Sequence, residues 1–292
     1  MPEIRQVRID RRKSESCWIA KRARNVYSQC GEDGMIEAIF ERIGHRNRWC
    51  VEFGAWDGKH LSNTHHLIAN EQWSGILIEG SAEKFPALEE TYRDNPHAHC
   101  RQGIVYPTKG EGSLESFLAT VSIPADFDLL SVDIDGNDYH VWNSLTEYRP
   151  RVVVIEFNHS IPNDVAFIQD ADITVCQGSS LLAMIELGKR KGYELACAHR
   201  WNSIFVVAEE FSKLEIADNS IDAMNFLGRE GRYFQGFDGK LFHVGWTELG
   251  WAGAGFKIAA DDLQVMPEHM REWGDAVVKK GIPGAAPDGA GS

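Results

Sequence analysis

The run RVVVIEF (151–157) constrains this chain more than any other stretch, because four consecutive β-branched residues leave no polar face. A strand of that kind must be covered on both sides, which is the condition of a parallel sheet between two layers of helices. WCVEFG (49–54), GILIEG (75–80), AHCRQGIV (98–105) and FDLLSVDID (127–135) read as further strands. Helical patterns separate them near 60–70 and 83–93, in SLESFLATV (113–121) and in NDYHVWNSL (137–145). An earlier helix is marked by Met35, Ile36, Ile39, Phe40 and Ile43 and stops at Gly44. A longer loop (158–178) leads to a helix through SSLLAMIELGKRKG. YELAC and SIFVVA then lie close enough to pair as an antiparallel hairpin at the sheet edge. The β-then-α alternation predicts an α/β fold with a mostly parallel sheet.

Three of these strands end in carboxylates. In an open α/β sheet, ligands bind beyond the carboxyl ends of the strands, at the point where strand order reverses. Glu52, Gly54, Asp57 and Gly58 follow the first strand with glycines spaced GxxxG, which is not the GxGxxG of a dinucleotide site. Acids there repel a pyrophosphate and favour an ammonium group. Glu79 lies twenty-one residues beyond Gly58 (79 − 58), close to the interval of about 20 at which an acid receives a ribose diol. An acidic first turn plus a ribose acid points to S-adenosylmethionine (SAM). The competing explanation is that acids cap the helices that follow.

Asp133 and Asp135 end the fourth strand, and Glu156 and Asn158 end the fifth. Neighbouring strand ends lie about 5 Å apart. Four oxygen-bearing side chains so placed need protons, hydrogen bonds or a hard divalent cation such as Mg²⁺. Asp133, Asp135 and His159 are the candidates for general base. An ordinary DGND turn and a helix cap are the alternatives. His65 and His66 lack a ligand-type partner one turn away and are read as structural.

YSQCGEDGMIEAIF, VEFGAWDGKHLSNT, GILIEG, LLSVDIDGNDYHVW, RPRVVVIEFN and GSSLLAMIELGKRKGYEL, then NSIFVV, occur in this order. Together, over roughly residues 25 to 208, they resemble the FkbM-type SAM-dependent methyltransferases. The resemblance implies the Rossmann-like class I methyltransferase fold: a seven-stranded sheet with helices on both faces, whose last strand inserts antiparallel. It implies that Glu52, Gly54 and Gly58 line the methionine part of SAM, with Asn63 and Thr64 in the same block. It also implies that Glu79 holds the ribose, that Gln102 and Ile104 flank the adenine, and that Asp133 lies beside methyl transfer. The segment holding Tyr27 and Gln29 would cover the cofactor. Asp133-Ile-Asp135-Gly136 departs from the Asp-x-Glu-Gly of many such enzymes, so the substrate is not carried over. Acids at the ends of strands four and five, with an Asn nearby, are similar in placement to the metal site of catechol-type O-methyltransferases.

Composition adds exclusions. The 292 residues carry a net charge of −13, which argues against a nucleic-acid partner. No apolar stretch is long enough for a membrane span, and the N-terminus lacks a secretory signal, so a cytoplasmic location is expected. Six scattered cysteines without CxxC read as buried thiols.

The expected division is a basic, solvated arm (1–24), a SAM-binding domain (25–210), a Trp- and Gly-rich extension (211–280) and a disordered tail (281–292). The extension serves as lid, homodimer contact or core, with Trp246, Trp251 and Phe256 as its aromatic residues and a helix-like MPEHMREWGDAVVKK. The expected function is methyl transfer to an oxygen or nitrogen of a small polar molecule, with or without a metal. Other SAM chemistry (cyclisation or aminobutyryl transfer) and a non-catalytic binding module are the alternatives.

Overall fold

The computed structural model describes residues 3–226, 231–245 and 259–271. The chain forms two compact units, Ile9–Gly228 and a second made of Met1–Arg8 with Arg229–Ser292.

The larger unit is built on a seven-stranded sheet. In chain order it contains α1 (Glu32–Ile43), β1 (Trp49–Phe53), α2 (His65–Asn70), β2 (Ser74–Glu79), α3 (Phe85–Tyr92), β3 (Ala98–Gln102), α4 (Leu114–Leu118) and β4 (Leu129–Val132). Then follow α5 (Asp138–Ser144), β5 (Val152–Glu156), α6 (Leu181–Arg190), β6 (Tyr193–His199), β7 (Asn202–Val207), α7 (Ala208–Phe211) and α8 (Ile221–Met224). The strand order is β3-β2-β1-β4-β5-β7-β6, with β7 antiparallel to both of its neighbours. This is the class I methyltransferase topology expected from the sequence. Order reverses between β1 and β4. Crossovers of the usual right hand on either side of that point would put their helices on opposite faces of the sheet.

Burial explains why the apolar runs became strands. Every residue of β4 and β7 is buried, as are Val152 to Ile155. Trp142 of α5 packs on Phe205 of β7 with ring centroids 5.0 Å apart; burying a side chain of this size is worth about 1.5–3 kcal/mol. α6 starts where the Ser180 side chain accepts a hydrogen bond from the Ala183 N–H, and it ends on Lys189 and Arg190, which suit the helix C-terminus.

At the opposite end of the sheet from the strand-end acids, Arg151 sits among buried partners. Its guanidinium donates to Asp128 at 2.6 Å and to Glu210 at 2.9 Å. Asp128 also accepts the backbone N–H groups of Arg46, Asn47 and Arg48.

Two boundaries differ from expectation. The basic arm is not free over its second half: Ser16 and Ile19 are buried, and Trp18 Nε1 donates to the Leu214 carbonyl. Its cations pair with the protein's own acids, Lys13 with Asp218, Arg22 with Glu41 and Arg24 with Glu37. The sheet unit also runs on past residue 210, because Leu214, Ala223 and Met224 are buried in it. Of the cysteines, Cys176 is exposed, and Cys17 and Cys100 are half-buried rather than buried.

The smaller unit contains a hairpin of β8 (Gly231–Gln235) and β9 (Leu241–Gly245), followed by short 3-10 turns, one of them Glu268–Met270. Trp246, Trp251, Phe256, most of the expected 266–280 helix and the tail 281–292 lie outside the described residues. Among the described residues no helix is long and apolar enough to cross a membrane.

Candidate active site

The strands are in register at their carboxyl ends: Phe53 stands beside Ile78 and Val132, Val132 beside Ile155, and Ile155 beside Ser203. One residue further on lies a single row across the sheet: Gln102, Glu79, Gly54, Asp133, Glu156 and Asn202. Glu79 pairs with Gln102 and Glu156 with Asn202. Residues of one row share a face. The row therefore carries Glu79 and Gln102 at one end and an acid–amide cluster at the other, with no side chain at Gly54 between them.

Gly54 is fixed there for two reasons. Its φ is +78°, a region that disfavours side chains, and an added Cβ would overlap the Asp133 carbonyl oxygen. Gly58 (φ +73°) answers to a different neighbour. A Cβ there would meet Leu88 and Tyr92 of α3, so this glycine permits helix packing rather than ligand approach.

The first-turn acids are committed to their own loops. Buried Glu52 accepts from Ser62 Oγ (2.5 Å), Thr64 Oγ1 (2.7 Å) and the Asn63 N–H (2.8 Å). Burial pushes its carboxyl up, while those three donors pull it down. Asp57 caps the N–H groups of Lys59 and His60. Neither acid is arranged as the expected ammonium partner. Asn63 and Thr64 are buried, and Asn63 Nδ2 reaches Ser131 Oγ at 3.1 Å. These residues set the path of the loop after β1.

Glu79 is better placed for a ligand. One oxygen accepts the Trp56 N–H and the other the Ser81 N–H, both at 2.7 Å. That orients the carboxylate and leaves each oxygen a second lone pair. Ile104 approaches Gly80 and is 48% exposed. Tyr27 packs its ring edge-on against His65, whose Nδ1 lies 2.9 Å from the Tyr92 hydroxyl. The Tyr27–Gln29 turn is held by Asp33, which accepts the N–H groups of Val26, Tyr27 and Ser28.

Asp133, Asp135 and Glu156 converge, each offering an oxygen within 4.8 Å of the others. The turn beyond β4 is closed by Asp138, which accepts from the Ile134 and Gly136 N–H groups. Asp135, at φ +57° and exposed, is thereby left outside the turn's own bonding. Burial, followed by the nearby Asp138 and Asp135 charges, pushes the Asp133 carboxyl up. Glu156 is raised further, by burial and then by Asp133.

Asn158 does not join this cluster. Its Oδ1 accepts from both N–H and Oγ of Ser160, and its Nδ2 donates to the Gln177 carbonyl, so the amide is spent in the 158–178 loop. His159 is half-buried, its ring 6.1 Å from that of Trp201.

Two residues the sequence reading passed over matter here. Buried Gln169 accepts the N–H groups of Gln177 and Gly178 and donates to the Val175 carbonyl, tying the long loop across the Gly136 turn. Asn202, the first residue of β7, is buried and donates from Nδ2 to Glu32 at 2.8 Å. Only its cross-strand pairing reveals it, and sequence spacing does not encode that pairing.

Residues 101–195 match the model of the methyltransferase FkbM domain. No curated protein matches the sequence. Similar solved structures include the N-terminal domain of EvdMO1 with SAH bound (13% identity, 60% of this chain and 80% of that one, TM-score 0.40). Others are the glycopeptide N-methyltransferase MtfA complexed with SAM (12%, 58% and 84%, 0.34) and the O-methyltransferase NcsB1 in complex with SAH and 1,4-dihydroxy-2-naphthoic acid (16%, 59% and 52%, 0.37).

Proposed function

Taking the chain as a SAM-dependent methyltransferase of the FkbM type, we propose that it methylates an oxygen or nitrogen of a small polar molecule. The observation that carries this reading is the in-register row, with Glu79 at one end and Asp133 and Glu156 at the other. When bound, SAM supplies an electrophilic methyl group on a sulfonium.

The protein's part is chiefly placement. Glu79, held by two backbone amides, receives the ribose hydroxyls, and Gln102 and Ile104 border the adenine. Gly54 leaves room between the ribose acid and the acceptor. Tyr27 and Gln29 cover the cofactor from the segment before α1. Glu52, Asn63, Thr64 and Gly58 belong to this site as the frame of the loop after β1. Asp133, with a carboxyl raised towards neutrality by burial, takes the proton of the acceptor's hydroxyl or amine. His159, adjacent in the chain, is the second candidate base. The three converging carboxylates fit a hard divalent cation such as Mg²⁺, which would lend Lewis acidity to a hydroxyl. A cytoplasmic small-molecule enzyme is consistent with the charge of −13.

The test uses SAM labelled in its methyl group and a small-molecule extract. Label appearing in an acceptor, with S-adenosylhomocysteine formed in equal amount and both lost in Asp133→Asn, supports the proposal. Methylthioadenosine as the product would contradict it.

A further inference from the structure

We propose that Asn202 supplies the amide oxygen of a divalent-cation site whose other ligands are Asp133, Asp135 and Glu156. The inference rests on reading the β4–β5–β7 end of the row as the acceptor end of the active site, and it names what that end holds.

Converging carboxylates alone are common without an ion. The independent observation is Asn202, which is 5% exposed and lies directly opposite Glu156 across the β5–β7 pair. Its Nδ2 donates to Glu32 Oε1, and a carboxylate cannot be the donor, so the orientation of the amide is settled. The Oδ1 that remains is buried and has no hydrogen-bond partner. The neighbouring Glu156 Oε2 is buried and lacks one as well. Native proteins rarely bury such oxygens unanswered, and two side by side call for a shared occupant.

A bound cation answers such oxygens by accepting their electron pairs. Asn202 Oδ1 can only donate lone pairs, and so can the three carboxylates once ionised. Among the described residues no lysine or arginine forms an ion pair with Asp133, Asp135 or Glu156. Up to three carboxylates and one amide carbonyl form an all-oxygen set, the choice of Mg²⁺, Mn²⁺ or Ca²⁺. Glu32 acts as the positioning residue. It is wholly buried, and its other oxygen is held by the Cys30 N–H at 2.7 Å, so its carboxylate is fixed and holds the Asn202 amide by Nδ2 on the strand directly opposite Glu156. The site departs from the sequence expectation in its amide: Asn202, not Asn158.

The experiment titrates the full-length protein with Mn²⁺ at neutral pH, following free ion by electron paramagnetic resonance, and measures SAM binding separately by calorimetry. One saturable Mn²⁺ per chain is expected. Affinity should fall about tenfold or more in Asn202→Leu and in the exposed-site variant Asp135→Asn, hold or rise in Asn202→Asp, and stay unchanged in Asn158→Leu. Should Asn202→Leu not fold, Asn202→Asp and Asp135→Asn still decide the matter. A wild-type protein that binds no Mn²⁺ overturns the proposal and leaves a shared proton between Asp133 and Glu156. So does an Asn202→Leu protein that binds as well as wild type. Mn²⁺ binding without SAM binding would instead refute the cofactor reading and keep the cation site.

Discussion

Glu156 and Asn202 face each other at the ends of β5 and β7, each with one oxygen buried and unanswered. The pairing exists because β7 runs antiparallel and inserts between β5 and β6. It brings together two residues forty-six positions apart (202 − 156) at one end of the row of strand-end side chains.

Protonation of this end sets a pH dependence. Burial raises the Asp133 carboxyl to about 7, and Glu156 higher still, above ordinary unfolded carboxylates. A group raised on folding stabilises the protein below its unfolded pKa and loses that contribution as pH rises through the folded one. Through Asp133, the metal-free protein should therefore lose melting temperature as pH rises from about 4 to about 7, the span from an ordinary to this raised carboxyl. Asp133→Asn should flatten that slope in a calorimetric scan; an unchanged slope would place the effect elsewhere.

Glu52→Gln tests the loop role of that acid. The amide end brings N–H donors against Ser62, Thr64 and Asn63, all of which donate to the carboxylate. A loss of about 1–3 kcal/mol in stability is expected. Affinities for SAM and S-adenosylhomocysteine should drop by the same factor. A selective loss of SAM would mean that Glu52 senses the sulfonium charge.

Arg151→Met should cost about 3–5 kcal/mol in urea unfolding, because Asp128 and Glu210 would each stay buried with a lost charge partner. SAM affinity should be untouched well below the unfolding transition, since this network lies at the other end of the strands.

Gln169→Ala should loosen the loop it ties. Hydrogen exchange ought to quicken at Gln177 and Gly178, whose N–H groups it accepts, while β5 keeps its protection. Unchanged exchange at those two amides would show that other contacts hold the loop.

How far the sequence foretold this molecule depends on which kind of information is asked of it. RVVVIEF and FDLLSVDID announced buried strands because continuous apolar runs encode burial directly, and the hairpin of β6 and β7 followed from two such runs in close succession. Hydrogen-bond ownership was not legible. Glu52, Asp57 and Glu79 look alike as strand-end acids, yet only Glu79 keeps geometry suited to a ligand. The basic arm looked solvated because its partners, Glu37, Glu41 and Asp218, are distant in sequence. Asn158 and Asn202 exchanged places for the same reason: one lies beside the acids in the chain, the other beside them in the sheet.

SAM bound along the row would place its ribose at Glu79. Calorimetric titration of the wild-type protein and of Glu79→Ala with SAM tests it most directly. One saturable site per chain is expected in the wild type, with affinity at least about tenfold weaker in the variant, as for a lost charge-assisted pair of hydrogen bonds. Equal affinity in the two proteins, or no binding by the wild type, would contradict it.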